Sequence, residues 1–201
     1  RKEHDLSKPE RLSSCGRPSP WIHLSLRDPE GNEVPRGEPG EICIRGPLIM
    51  KGYKDMPEQT AEAFAGGWLH TGDVGKLDDD GFLYIVDRTK DMIVTGGFNV
   101  FPREVEDVLG THEAVGQVVV IGVPDEQWGE AVKAVIVLKP DFEASEELIS
   151  SMQALVKKAK GSVQSPKSID FVAAIPLTPV GKPDKKTVRA QYWVDSDRGV
   201  G

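Results

Sequence analysis

The sequence predicts an α+β fold, with a β-rich, barrel-like first part followed by a small α+β domain. Before Asp87, apolar residues alternate with polar ones in short runs separated by turn-forming residues, a pattern typical of antiparallel strands. After Asp87, helical patterns alternate with β-branched runs. The 201 residues, 38% of them hydrophobic, are enough to form two cores.

In the first part, alternation predicts strands at 22–26, 41–45 and 82–86. The turn-rich residues 28–32 follow the first strand, and the tight turn 78–81 precedes the last. A short helix is predicted to begin at Pro57, where a first-turn proline is tolerated, and to end at Gly66 and Gly67.

The second part is predicted to contain two helices and three strands. Pro102 begins the first helix and Gly110 ends it. The second helix lies between Ser145 and Lys160, and an apolar stripe runs along it, formed by Leu148, Ile149, Met152, Leu155, Val156 and Ala159. The strands are predicted at 118–123, 131–138 and 169–172.

Charge and composition exclude several classes of function. The net charge of −7 disfavours a general nucleic-acid-binding surface. No apolar run approaches the roughly 20 residues of a membrane-spanning helix, and Cys15 and Cys43 have neither metal-ligand spacing nor the density of a disulfide scaffold. We therefore expect a soluble protein of the reducing cytosol, with no metal ligands in this chain. The chain starts at Arg1 in a polar loop, so we expect further sequence upstream.

Basic residues concentrate between 157 and 189, in a chain that is otherwise acidic. Such a local positive field suits a small polyanionic ligand, such as ATP or coenzyme A. The alternative for Lys157, Lys158 and Lys160 is that they form only the solvated face of a helix.

Four separated segments carry residues suited to chemistry, at 67–73, 87–100, 123–130 and 176–185. In the first, a carboxylate on a tight turn, Asp73, can accept hydrogen bonds from the two vicinal hydroxyls of a ribose. In the second, Gly96 and Gly97 let a ligand pass close to the main chain. In the fourth, Lys182 on a glycine-containing loop can stabilise charge that develops on a carboxylate and a phosphate. The third segment is interpreted as a structural turn with a tryptophan anchor.

In this order and spacing, the four segments resemble the C-terminal portion of AMP-forming acyl-CoA synthetases of the adenylate-forming enzyme family. The resemblance implies that Lys182 is catalytic, that Asp73 holds the AMP ribose and that Arg88 approaches the nucleotide. It implies that Lys90 is the pivot of a hinge, and that Gly96 and Gly97 line the entry of the coenzyme A thiol. Lys185 and Lys186 rival Lys182 by charge, but the spacing from Pro176 and Gly181 favours Lys182.

The resemblance also implies a domain organisation. Residues 1–87 would form the C-terminal, β-rich part of the large domain, residues 88–91 the hinge, and residues 92–195 the lid domain. The phosphate loop, the acidic residue that helps to bind magnesium and the acyl pocket lie upstream in such enzymes and have no match here. This chain alone is therefore expected to be inactive.

The implied reaction joins a carboxylic acid, with fatty acids favoured, to coenzyme A and consumes ATP. The chain would work with ATP, with Mg²⁺ held mostly by residues outside it, and with coenzyme A as co-substrate. One alternative is a peptide-synthetase-type adenylation domain, which transfers the acyl group to a carrier-protein thiol. The other alternative is a non-catalytic binding module that uses the α+β domain to dock a partner.

Overall fold

The computed structural model describes residues 9–193, which form two compact units that divide between Thr89 and Lys90. Each unit contains a β-sheet with its own helices, so the predicted α+β class is confirmed. The division lies within the segment predicted to be a hinge, and the hinge function itself stays a prediction. None of the helices within 9–193 has the length and apolar character needed to span a bilayer.

The first unit is built on a four-stranded antiparallel sheet in the order β1-β2-β3-β4. Its strands are β1 His23–Arg27, β2 Gly40–Arg45, β3 Leu69–Leu77 and β4 Leu83–Arg88. Within the described residues the pairing is linear, and β1 does not pair with β4 to close a barrel. Helix α1, Pro57–Ala63, begins at the predicted proline, and a 3-10 turn at Ala65–Gly67 follows it.

Strand β3 is the element of this sheet that alternation does not predict. It contains Gly72, Asp73 and Gly75, which are poor strand formers. Gly75 nevertheless suits the close packing there, because a Cβ would lie 2.9 Å from the side chains of Ile42 and Leu83 and 3.0 Å from the Tyr84 carbonyl oxygen. Close packing between neighbouring strands, which local sequence does not reveal, therefore determines this strand.

The second unit contains a five-stranded sheet in which β8 is central. Its strands are β5 Ile93–Thr95, β6 Phe98–Val100, β7 Val115–Asp125, β8 Gly129–Leu138 and β9 Ser168–Phe171. Strand β8 pairs with β7 along its length, with β5 near its start and, in parallel, with β9 further on. The helices are α2 Pro102–Leu109, α3 Glu146–Lys160 and α4 Lys185–Ala190.

Strands β7 and β8 bury both of their faces, which explains why their sequences are almost continuously apolar. One face packs with α2 and α3 around a large core that includes Val120, Ile136 and Met152. The opposite face packs with α4 around a smaller core that includes Val119 and Val188. Each helix of this unit therefore rests on the same central pair of strands.

Helix ends follow local rules. Ser145 caps α3 by accepting a hydrogen bond from the Leu148 N–H at 3.3 Å, and Asp184 caps α4 by accepting one from the Thr187 N–H at 3.1 Å. The predicted apolar stripe of α3 ends early, because Ala159 is exposed. Helix α4 has six residues and one buried side chain, Val188, so its pattern is too short to predict a helix.

Candidate functional site

Asp73 lies on a bulge of β3. Glu41 pairs with Val74 and Cys43 pairs with His70, so three residues of β3 lie opposite one residue of β2. A bulge of this kind bends the strand and redirects its side chains. Gly72, with φ of 72°, provides the left-handed backbone that the bulge needs.

Hydrogen bonds from a neighbouring strand hold this bulge. The Gly72 N–H donates to Glu41 Oε1 at 3.1 Å, and the Thr71 hydroxyl donates to the Ile42 carbonyl at 2.8 Å. The Asp73 N–H in turn donates to Thr71 Oγ1 at 3.1 Å. The backbone of the bulge is thus satisfied without using the Asp73 carboxylate.

Arg88 lies directly opposite Asp73 across the β3–β4 ladder. Arg88 Nε and Asp73 Oδ1 are 3.6 Å apart, and both side chains are about half exposed, at 58% and 43%. An exposed pair of this length contributes little stability. Both groups therefore remain accessible to a ligand, and the structure brings together the two residues predicted to bind nucleotide.

Beneath this bulge, Glu41, Cys43 and His70 place one ligand-type atom each within 4.8 Å of one another, close enough to hold a metal ion. Their hydrogen bonds already explain the grouping. His70 Nδ1 is 2.7 Å from Glu41 Oε2, and His70 Nε2 is 3.2 Å from the Ala65 carbonyl oxygen. Burial, together with the charge of Glu41, raises the pKa of the Cys43 thiol to about 11, so the thiol is neutral at pH 7. We interpret the group as a brace for the bulge.

Gly96 and Gly97 form the two-residue turn of the β5–β6 hairpin. Thr95 pairs with Phe98, and φ is 56° at Gly96 and 82° at Gly97, both positive as a type I′ turn requires. The two glycines differ in their surroundings. A Cβ on Gly96 would lie 2.5 Å from the Trp128 ring, whereas a Cβ on Gly97 would have open space around it. Trp128 is 45% exposed, so it covers the turn from outside and does not anchor it from within the core.

Lys182 lies on a tight turn closed by its own backbone. The Thr178 N–H donates to the Lys182 carbonyl at 2.7 Å, and the Gly181 N–H donates to the Thr178 carbonyl at 2.8 Å. Just outside the turn, the Asp184 N–H donates to the Pro176 carbonyl at 2.8 Å. The backbone at Lys182 is therefore fixed, while its side chain is exposed and makes no hydrogen bond or ion pair within residues 9–193.

The two rival lysines are in different situations. Lys185 Nζ pairs with Glu106 Oε1 at 2.8 Å, and both side chains are about four-fifths buried. Lys186 is exposed on α4. Because the Lys185 ammonium is already paired with the Glu106 carboxylate, the geometry favours Lys182 over Lys185 as the catalytic lysine.

Helix α4, which follows the Lys182 turn, is fastened to the sheet beneath it. Arg189 pairs with Glu130 Oε1 at 2.8 Å, and the Trp193 ring N–H donates to the Gly122 carbonyl at 3.0 Å. The Tyr192 hydroxyl donates to Asp170 Oδ2 at 2.7 Å. Sequence reasoning did not find these anchors, because the partners are separated by 22 to 71 residues along the chain.

The remaining predicted residues belong to different elements of the chain. Lys90 is exposed in the 3-10 turn Thr89–Asp91. The Gly96–Gly97 turn and the Lys182 turn belong to different elements of the second unit, whereas Asp73 and Arg88 belong to the first.

Comparisons with known proteins point to the same family as the sequence motifs. The family model for the C-terminal domain of AMP-binding enzymes matches residues 104–182, and the model for AMP-binding enzymes matches residues 3–54. A medium/long-chain-fatty-acid–CoA ligase of Mycobacterium tuberculosis is 56% identical over 96% of this chain and 34% of its own length.

Two further similar proteins have names that indicate products other than an acyl-CoA. A fatty acid–[acyl-carrier-protein] ligase of Streptomyces coeruleorubidus is 38% identical over 94% of this chain and 36% of its own length. The solved structure of an amide bond synthetase from Marinactinospora thermotolerans superposes with a TM-score of 0.82 at 42% identity, covering 94% of this chain and 38% of that one. The chain thus spans about a third of the length of the relatives it matches.

Proposed function

This chain belongs to the AMP-binding enzyme family and corresponds to the C-terminal portion of its members, and from that premise we propose that it completes an AMP-forming acyl-CoA ligase. The proposed reaction has two steps. A carboxylate oxygen attacks the α-phosphorus of ATP and pyrophosphate leaves, and the coenzyme A sulfur then attacks the acyl carbon and AMP leaves. The thiol proton passes to solvent.

The observation that carries this proposal is the contrast between the lysines. Among the described residues 9–193, Lys182 presents an ammonium without a partner from a fixed backbone, whereas Lys185 is paired with Glu106. Such an ammonium is available to stabilise negative charge on the carboxylate and the α-phosphate during the first step. Asp73 would accept hydrogen bonds from the ribose hydroxyls and Arg88 would approach the nucleotide.

The second step is assigned to the Gly96–Gly97 turn. Space around the Gly97 Cα is open, so an extended pantetheine chain could pass along the main chain there. In this proposal Lys90 is the pivot that lets the second unit present Lys182 first and the glycine turn second. Mg²⁺ would neutralise the phosphates, held mainly by residues outside this chain.

We propose a fatty acid as the substrate, because the relative at 56% identity is named a medium/long-chain-fatty-acid–CoA ligase. A second candidate acceptor is a carrier-protein thiol, because a relative at 38% identity is named as a ligase for the acyl-carrier protein. Supplying coenzyme A and acyl-carrier protein in parallel to a preformed acyl-adenylate distinguishes the two acceptors.

The test uses an enzyme of full family length that contains this chain, and it measures the two steps separately. Lys182→Ala is expected to slow acyl-adenylate formation about 100- to 1000-fold, the usual cost of removing one well-aimed electrostatic donor. Thioester formation from supplied acyl-adenylate should be nearly unchanged. Gly97→Leu should do the reverse, because a branched side chain would obstruct the thiol path.

Two control variants separate these effects from loss of charge and from backbone strain. Lys186→Ala removes an exposed lysine four residues away and should leave both steps unchanged. Gly81→Leu places the same side chain at another open position with a positive φ of 80°, so it reproduces the strain of Gly97→Leu away from the proposed thiol path. If both site variants impaired both steps equally while folded, the assignment would be wrong. If neither impaired either step, a binding module would describe the chain better.

A further inference from the structure

Glu130, at the start of β8, has both carboxylate oxygens occupied by groups from two other elements. Oε2 accepts a hydrogen bond from the Val94 N–H of β5 at 3.0 Å, and Oε1 pairs with the Arg189 guanidinium of α4 at 2.8 Å. The residue is 9% exposed. Burying a carboxylate is costly unless it is paired and hydrogen-bonded, and both conditions are met here.

The surrounding strand leaves room for this carboxylate. Gly122 of β7 faces it, and a Cβ at Gly122 would lie 2.7 Å from Glu130 Oε2. Any other residue at that position would displace the carboxylate or the Val94 hydrogen bond. The sheet is thus shaped around an acidic group.

The two elements that Glu130 joins lead to the two proposed catalytic turns. Val94 lies two residues before the Gly96–Gly97 turn, and Arg189 lies on the helix that begins three residues after Lys182. We propose that Glu130 is a positioning residue that sets the geometry of both turns from one buried carboxylate, an inference that rests on the proposed function. It does not touch substrate, and it acts through Val94 and Arg189.

A second ion pair on the same helix provides a matched comparison. Glu106 of α2 also accepts from a backbone N–H, that of Val120 at 2.8 Å, and also pairs with α4, through Lys185 at 2.8 Å. Its side chain is similarly buried, at 18% exposure against 12% for Glu130. Glu106 therefore fastens α4 to α2 and β7, so its loss should affect the Lys182 turn.

The first experiment measures amide hydrogen exchange of this chain by NMR. In Glu130→Gln one side-chain oxygen becomes an NH₂ group, so Val94 and Arg189 cannot both keep an acceptor. We expect exchange at Val94 and at Val188 of α4 to rise about 10-fold, the lower end for loss of a charge-assisted hydrogen bond. In Glu106→Gln the remaining side-chain oxygen can still accept from the Val120 N–H, but the charge that pairs with Lys185 is lost, so exchange should rise at Val188 and stay unchanged at Val94. Unchanged exchange at both Val94 and Val188 in Glu130→Gln, or an equal rise at the core residue Val135, would overturn the proposal.

The second experiment measures both half-reactions in the enzyme of full family length. Glu130→Gln should slow adenylation and thioester formation by about 10-fold each, whereas Glu106→Gln should slow adenylation alone. If Glu130→Gln changed exchange but neither step, while Lys182→Ala still abolished adenylation, the positioning role would be wrong and the proposed function would stand. If Lys182→Ala had no effect, both the proposed function and the role of Glu130 in it would fall.

Discussion

The bulge that carries Asp73 and the turn that carries Lys182 are held in different ways. The Glu41 side chain and the Ile42 carbonyl of the neighbouring strand brace the bulge, and Asp73 itself faces Arg88 across the sheet. The Lys182 turn is closed by its own backbone hydrogen bonds, and its ammonium has no partner within the described residues. Both backbones are fixed, but within the described residues only Asp73 also faces an oppositely charged side chain.

This difference matches the roles proposed for the two residues. A group that holds the ribose is needed throughout the reaction, so a fixed orientation serves it well. A group that stabilises charge only during adenylation benefits from a side chain with no competing partner in the protein. We therefore expect substitutions at the Asp73 bulge to act mainly on the KM for ATP, and substitutions at Lys182 to act mainly on kcat.

The largest effect that tests this contrast is expected for Asp73→Asn. The amide can accept fewer hydrogen bonds than the carboxylate and carries no charge, so two charge-assisted bonds to ribose hydroxyls would be weakened. We expect kcat/KM for ATP to fall about 100-fold, almost entirely through KM. Steady-state kinetics of an enzyme of full family length provides the measurement.

Asp79→Asn, in an exposed turn of the same unit, is the control for Asp73→Asn and should change neither constant. A fall in kcat at unchanged KM would mean that Asp73 acts in the chemical step, and the contrast between the two turns would then be lost.

A smaller effect of the same kind is expected for Glu41→Gln. Glu41 holds the Gly72 N–H with one oxygen and faces His70 Nδ1 with the other, and a glutamine can accept at only one of these positions. The bulge should loosen, and we expect the KM for ATP to rise about 10-fold with little change in kcat. Glu38→Gln changes an exposed acid just before β2 and should leave both constants as they are. Equal effects of the two variants would show that the brace does not position Asp73.

Much of the fold follows from the sequence because local rules determine it. The proline signals at Pro57 and Pro102 correctly mark the first turns of α1 and α2, and the helix predicted between Ser145 and Lys160 agrees with α3. Local rules do not predict strand β3 or helix α4. Strand β3 depends on packing against its neighbouring strands, and α4 depends on contacts with residues that are distant in sequence.

The residues of the candidate site also fall into two groups, those that the sequence reveals and those that only tertiary contacts reveal. Asp73 and Lys182 stand out in the sequence because each follows a glycine in a segment suited to polar ligands, whereas Arg88 is assigned through the family resemblance. Glu41 and Glu130 do not stand out in the sequence. Glu41 matters because its Oε2 lies 2.7 Å from His70 Nδ1, and Glu130 matters because it accepts hydrogen bonds from Val94 of β5 and Arg189 of α4. Residues that support a site through tertiary contacts carry no signal in a single sequence.

The smallest effect concerns Asp170, which helps to fix the segment that follows α4. Lys133 Nζ lies 2.7 Å from one oxygen, and the Tyr192 hydroxyl donates to the other at 2.7 Å. Burial alone would raise the pKa of Asp170, but the hydrogen bonds from Lys133 and Tyr192 outweigh it and lower the pKa. Burial, together with the bond to Asp170, raises the pKa of Tyr192 to about 12.

A carboxyl whose pKa is lowered by folding stabilises the protein above its ordinary pKa, and this contribution is lost as the pH falls through the lowered value. At pH 7, Asp170→Asn should therefore lower the free energy of unfolding by about 1 kcal/mol or less, because the Asp170 side chain is 40% exposed and solvent screens the pair. This difference in the free energy of unfolding between Asp170→Asn and the unsubstituted chain should shrink as the pH falls below about 4. Urea unfolding followed at NMR signals of the second unit measures it, with the exposed Asp141→Asn as control. A deficit that stayed constant down to pH 2 would mean that Asp170 contributes through its shape and not through its charge, and that the segment after α4 does not depend on this ion pair.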